Sequence, residues 1–254
     1  TKNGCYLFKN QETSTPDAPW VSDKALLSWA KEVYDRHSEK KLFLYPINYL
    51  PHTPFLYDEF ASTPRFTKAD VNIDTVSLRY INYEASLESY FRNFIEIAKT
   101  MKNTVYIFYG DHGSGIIQKD FETILGYDTP LNPFEYNRQM LKTLAFIYVP
   151  DDNDTESEIP RGLLKGRQPK VRSQVDIYRT IIELFDLKAD NYYYGVNLLS
   201  DESTFSIDTR NFSIVTDDFY IVAKRFKNSE MTEKNTIFYN DNPRISSDEI
   251  LEYV

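Results

Sequence analysis

Between residues 74 and 99 apolar side chains return every three or four positions: Val76, Tyr80, Tyr83, Leu87, Phe91, Phe94, Ile95 and Ala98. That spacing matches the helical turn and predicts one long amphipathic helix. A shorter helix is predicted to start at Ser22, which can cap it. Asp23 then sits at its positive end, with Ala25, Leu26, Trp29 and Val33 on one face. The same period returns over 174–186 through Val175, Tyr178, Ile182 and Phe185. Runs at 42–47, 104–109 and 143–150 are apolar almost without interruption. Such runs predict strands covered on both faces. Residues 212–214 and 219–222, split by Thr216-Asp217-Asp218, predict a hairpin. Strands alternating with helices predict an α/β fold, a mostly parallel sheet with helices on both faces. A small antiparallel hairpin region would follow at the C-terminal end. Residues 1–200 are expected to form the main domain and 201–254 a strand-rich subdomain or edge.

Charge and composition narrow the chemistry. The 254 residues carry 29 Lys and Arg against 38 Asp and Glu, a net charge of −9, which argues against a nucleic-acid partner. The single Cys5 excludes a disulfide framework and a cysteine-based zinc site. No run of about 18 apolar residues occurs, so any membrane anchor is expected outside this chain. Gly-x-Ser-x-Gly, Gly-x-x-x-x-Gly-Lys-Ser/Thr and Gly-x-Gly-x-x-Gly are all absent.

Three histidines are available: His37, His52 and His112. Asp111 and His112 follow the run 104–109 and are framed by Gly110, Gly113 and Gly115. Ligands of open α/β sheets gather beyond the carboxyl ends of strands, which is where this pair would lie. A carboxylate beside an imidazole suits a divalent ion such as Mn²⁺ or Zn²⁺, although two ligands are too few to hold one. The bland alternative is a loop aspartate beside a surface histidine. His52 occupies the equivalent place past 42–47 and suits a donor to a phosphate or hydroxyl; its alternative is a turn histidine between Pro51 and Pro54. His37, among Arg36, Ser38, Glu39 and Lys40, reads as a solvated residue at a helix end. Asn191-Tyr192-Tyr193-Tyr194-Gly195 reads as a packed aromatic corner rather than a stacking surface.

Tyr109-Gly110-Asp111-His112-Gly113 resembles the metal-binding signature of the lipoteichoic acid synthase family. These are phosphoglycerol transferases within the alkaline phosphatase/sulfatase superfamily. Trp20-Val21-Ser22-Asp23-Lys24 looks like the family's tryptophan-led helix start, and Pro51-His52-Thr53-Pro54-Phe55 like its His-x-Pro-Phe loop. Ser173-Gln174-Val175-Asp176-Ile177-Tyr178-Arg179-Thr180 resembles its Val-Asp-x-x-Pro-Thr helix, and Tyr194-Gly195-Val196-Asn197-Leu198-Leu199 its closing segment. The resemblance covers about residues 20–200, in order. Val21 stands for the family glycine, Arg179 for the proline, and Gly113 for the usual aromatic or asparagine.

The resemblance implies a divalent metal, Mn²⁺ with Mg²⁺ or Zn²⁺ as alternatives, held by Asp111 and His112 together with an upstream Glu and Thr. The Thr would attack the phosphate of phosphatidylglycerol, release diacylglycerol and pass glycerophosphate to a growing polyglycerolphosphate chain. His52 would hydrogen-bond the headgroup. The place of work would be the extracellular face of a bacterial membrane, or a released extracellular domain. Nothing near Thr1 matches the nucleophile loop, so no catalytic residue is expected in this chain, and the chain alone is expected to be inactive. Alternatives are another enzyme of the superfamily (sulfatase, phosphodiesterase or phosphoethanolamine transferase) or a non-catalytic extracellular binding module. Phosphoethanolamine transferases would be expected to carry more histidines.

Overall fold

The structure is a computed structural model that describes residues 23–48, 52–55, 63–151, 159–189, 194–208, 213–222, 226–227, 230–231 and 236–239. The chain divides into two units. One comprises 1–105, 116–130 and 149–162, the other 106–115, 131–148 and 163–254.

In the first unit the predicted helices form: α1 spans Asp23–Arg36 and α2 spans Thr75–Ala98. Asp74 caps α2 by accepting from the Val76 N–H. Tyr83, Ser86, Tyr90, Phe94 and Ala98 form its buried stripe, so the face is slightly rotated from the purely apolar positions. Leu27 and Val33 of α1 are buried in the same unit. The cap predicted at Ser22 lies outside the described residues. A third helix, α3 (Gln118–Leu125), brings buried Asp120 to the start of α2, where it accepts from the Asp74 N–H at 3.0 Å.

The run 42–47 corrects the prediction. It belongs to no strand, and Phe43, Tyr45 and Ile47 are 76%, 60% and 73% exposed. An apolar run becomes a strand only when a neighbouring backbone pairs with it, and among the described residues none does.

In the second unit β1 (Tyr106–Tyr109) pairs antiparallel with β2 (Ala145–Val149), and β3 (Gly162–Leu163) follows on the far side of β2. The parallel order expected from the alternation of elements is not among the described pairings. Phe108 stacks on Phe146 with centroids 4.7 Å apart, and Tyr106 faces Tyr148 at 6.4 Å, an aromatic ladder on one face. Between these strands lies α4 (Pro133–Met140), capped by Asn132. The predicted hairpin forms as part of a four-stranded antiparallel sheet. Its strands are β4 (Phe205–Asp208), β5 (Ser213–Thr216), β6 (Phe219–Val222) and, after the small ribbon β7 (Phe226–Lys227) and β8 (Glu230–Met231), β9 (Thr236–Tyr239).

The helix predicted near 174–186 is α5 (Val175–Leu184). Its Asp176 is fully buried and accepts from the Ser173 N–H at 2.7 Å and the Val196 N–H at 2.9 Å. Thr180, equally buried, accepts from the Leu198 N–H at 2.8 Å and donates to the Asp176 carbonyl. Gly195 closes this clamp. Its φ is +88°, and a Cβ there would stand 2.7 Å from Asp176 Oδ1.

Two stability predictions follow from this packing. Asp176→Ala leaves two backbone N–H groups without acceptors and is expected to cost about 2–5 kcal/mol, read as a lowered urea midpoint. In the first unit burial, with the nearby Asp23 charge, pushes the Tyr90 hydroxyl up to about 12. The folded state therefore holds this proton more tightly than the unfolded chain does. The stability it contributes is complete below pH ~10 and is lost as pH rises to ~12. Tyr90→Phe should flatten the alkaline limb of the stability–pH curve over that window.

Candidate metal centre

The geometry begins where β1 stops. The Gly110 N–H donates to the Leu144 carbonyl at 3.0 Å, extending the β1–β2 ladder one residue past the strand. Three residues on, Gly113 passes so close to the end of α4 that a Cβ would lie 1.8 Å from the Met140 carbonyl oxygen. Only glycine permits this approach. Asn132, accepting from the Glu135 N–H, sets the start of α4, and the Arg138 guanidinium holds the Glu135 carboxyl below its usual range. The loop 110–113 is thus pressed against a well-capped helix.

Asp111 and His112 stand on this loop with side chains 84% and 70% exposed. His112 Nε2 and Asp111 Oδ2 are 3.7 Å apart. His112 Nδ1 lies 2.9 Å from the Gly113 carbonyl. A carbonyl only accepts, so Nδ1 carries the proton and Nε2 of the neutral ring presents its lone pair. Two lone-pair donors then lie 3.7 Å apart. Bonds of about 2.1 Å at a tetrahedral angle separate two ligand atoms by about 3.4 Å, so the pair fits one small divalent cation. A fixed Nδ1–H is also the usual outer support of a metal-bound imidazole. Among the described residues no group of three or more His, Cys, Asp or Glu completes the set, and the pair alone is half a site.

Gln174, immediately before α5, donates from Nε2 to the carbonyls of Gly110 at 3.1 Å and Asp111 at 3.3 Å. The sequence placed Gln174 at a helix start and gave it no link to the Asp-His pair. The contact spans more than sixty residues, and no local pattern encodes it.

His52 lies in the first unit, and the rim argument for it lapses with the absent strand at 42–47. Its support is a tight turn in which the Phe55 N–H donates to the His52 carbonyl at 2.9 Å. Phe55 is buried, with its ring edge-on to Tyr80 of α2 at 5.2 Å. His52 Nδ1 lies 2.7 Å from the Thr53 carbonyl, so Nε2 is the accepting nitrogen of the neutral ring. His37 is at the end of α1, as predicted. Cys5, Trp20, Val21 and residues 191–193 lie outside the described residues.

A protein-family model described as Sulfatase matches residues 4–187. The chain belongs to the sulfatase family. It is also 30% identical over 194 residues to the lipoteichoic acid synthase of Staphylococcus saprophyticus subsp. saprophyticus, covering 72% of this chain and 27% of that protein. The chain therefore spans about a quarter of the length of that relative. No solved structure matches it. The ordered motifs that resembled the lipoteichoic acid synthase family agree with both matches.

Gly113→Ala should test the loop's seating in this sulfatase-family chain. The clash is with backbone, which a rotamer change cannot relieve. The expected outcome is a loss of about 1–3 kcal/mol in chemical denaturation.

Proposed function

We propose that this chain supplies two metal ligands and a headgroup contact to a phosphoglycerol transferase that acts on phosphatidylglycerol and extends polyglycerolphosphate. The observation that carries the proposal is the 3.7 Å approach of Asp111 Oδ2 and His112 Nε2, with Nδ1 tied to the Gly113 carbonyl. The likeness to a lipoteichoic acid synthase supports the choice among superfamily reactions.

When bound, a divalent cation such as Mn²⁺ neutralises charge on phosphoryl oxygens and lowers the pKa of a hydroxyl nucleophile. Asp111 would offer that cation an anionic oxygen and His112 the Nε2 lone pair. The Gly113 carbonyl keeps His112 in the tautomer that can ligate. His52, with Nδ1 committed to Thr53, accepts a glycerol hydroxyl proton through Nε2 when neutral and donates to a phosphate oxygen when protonated. Among the described residues no helix is long and apolar enough to cross a membrane. The working site is the extracellular face of a bacterial membrane.

The test uses the full-length protein with phosphatidylglycerol vesicles. Mn²⁺-dependent release of diacylglycerol is expected, abolished by chelation and reduced about 10³-fold or more by Asp111→Ala or His112→Ala. His52→Ala should lower transfer while leaving the thermal midpoint nearly unchanged. The 254-residue chain alone should be inactive. Turnover indifferent to Mn²⁺ and to Asp111→Ala would overturn the proposal, and sulfate release from a sulfate ester in place of diacylglycerol would move the assignment to a sulfatase.

A further inference from the structure

We propose that Gln174 is a positioning residue for the Asp111–His112 pair, acting through the backbone on which the pair stands. The Gly110 carbonyl belongs to the peptide plane before the Asp111 Cα, and the Asp111 carbonyl to the plane after it. One Nε2 amide, with its two hydrogens, reaches both, at 3.1 Å and 3.3 Å. Fixing both planes fixes φ and ψ of Asp111, and with them the direction in which its carboxylate leaves the chain. The second plane also carries the His112 nitrogen, so the same contacts set where the imidazole begins.

The pair needs such a device because packing does not hold it. Both side chains are largely exposed, and the Nδ1 bond to Gly113 orients only the ring of His112. Gln174 is itself exposed, so burial does not account for its placement. Its backbone, in contrast, is rigidly placed. Ser173 before it is held by the buried Asp176 carboxylate, and the Gln174 carbonyl accepts from the Ile177 N–H at 3.2 Å in the first turn of α5. A flexible pair is thereby referred to the most buried polar cluster of its unit. The metal consequence rests on the proposed function; the backbone consequence does not.

Gln174→Met keeps the side chain's length and removes both donors. The protein and this variant are compared by Mn²⁺ titration, followed by electron paramagnetic resonance of the free ion, and by ¹⁵N relaxation of the metal-free backbone. The expected result is a 10- to 100-fold weaker Mn²⁺ affinity, the range typical of lost outer-shell support. Lower order parameters are expected at Asp111 and His112, with the urea midpoint unchanged, which a merely structural role would have moved. Unchanged order parameters overturn the proposal. So does equal Mn²⁺ affinity of variant and unmodified protein when the latter binds. If the unmodified protein binds no Mn²⁺ yet Gln174→Met loosens 110–112, the positioning role stands and the metal reading falls.

Discussion

A fully buried carboxylate is costly to place in a fold unless its oxygens are satisfied, and Asp176 meets that demand with backbone N–H groups from two separate segments. This sets the geometry around the candidate centre. The Ser173 bond fixes how the chain turns into α5, and the Val196 bond draws the 194–198 segment onto the helix. Gly195 follows from it, because any Cβ there would strike the same carboxylate. Gln174 inherits its position from the same turn, and through Gln174 so does the backbone of the Asp-His loop.

The motifs that mark the family therefore divide by physical role. Asp176 and Thr180 hold one stretch of backbone against another. Arg179, where the family has proline, joins this work by donating to the Gly195 carbonyl and to Glu183. Asp23 is buried beside Tyr90 and raises the energy of its phenolate. Asp111 and His112 are the opposite kind, exposed and kept apart by 3.7 Å. Burial separates the two kinds: the scaffold acids are hidden, and the candidate ligand acid faces solvent.

How much of this the sequence disclosed depended on the range of the interaction. The helix α2 was legible because its stripe repeats over more than six turns, and α5 because its apolar residues keep the same period. The Asp-His pair stood out because glycines frame it directly after an apolar run. The helices α3 and α4 went unread. They have 8 residues each and are mostly polar, though Asn132 and Pro133 at the start of one and Gly126 after the other are capping signals that were present. The run 42–47 was misread because apolar character records a wish for cover and carries no information about a partner. Sheet direction was beyond reach for a related reason: the hydrogen-bond pattern belongs to a pair of strands, and the order of elements constrains it only indirectly.

The close approach of Gly113 to the Met140 carbonyl also limits what this position can hold. Here the obstacle to a larger residue is a main-chain oxygen, so no exchange of the Met140 side chain can make room for one. Any larger side chain would first require α4 to end earlier or shift, a change of length or angle that single substitutions rarely deliver. The glycine and the end of α4 therefore constrain one another: the helix can run to Met140 only because residue 113 has no side chain.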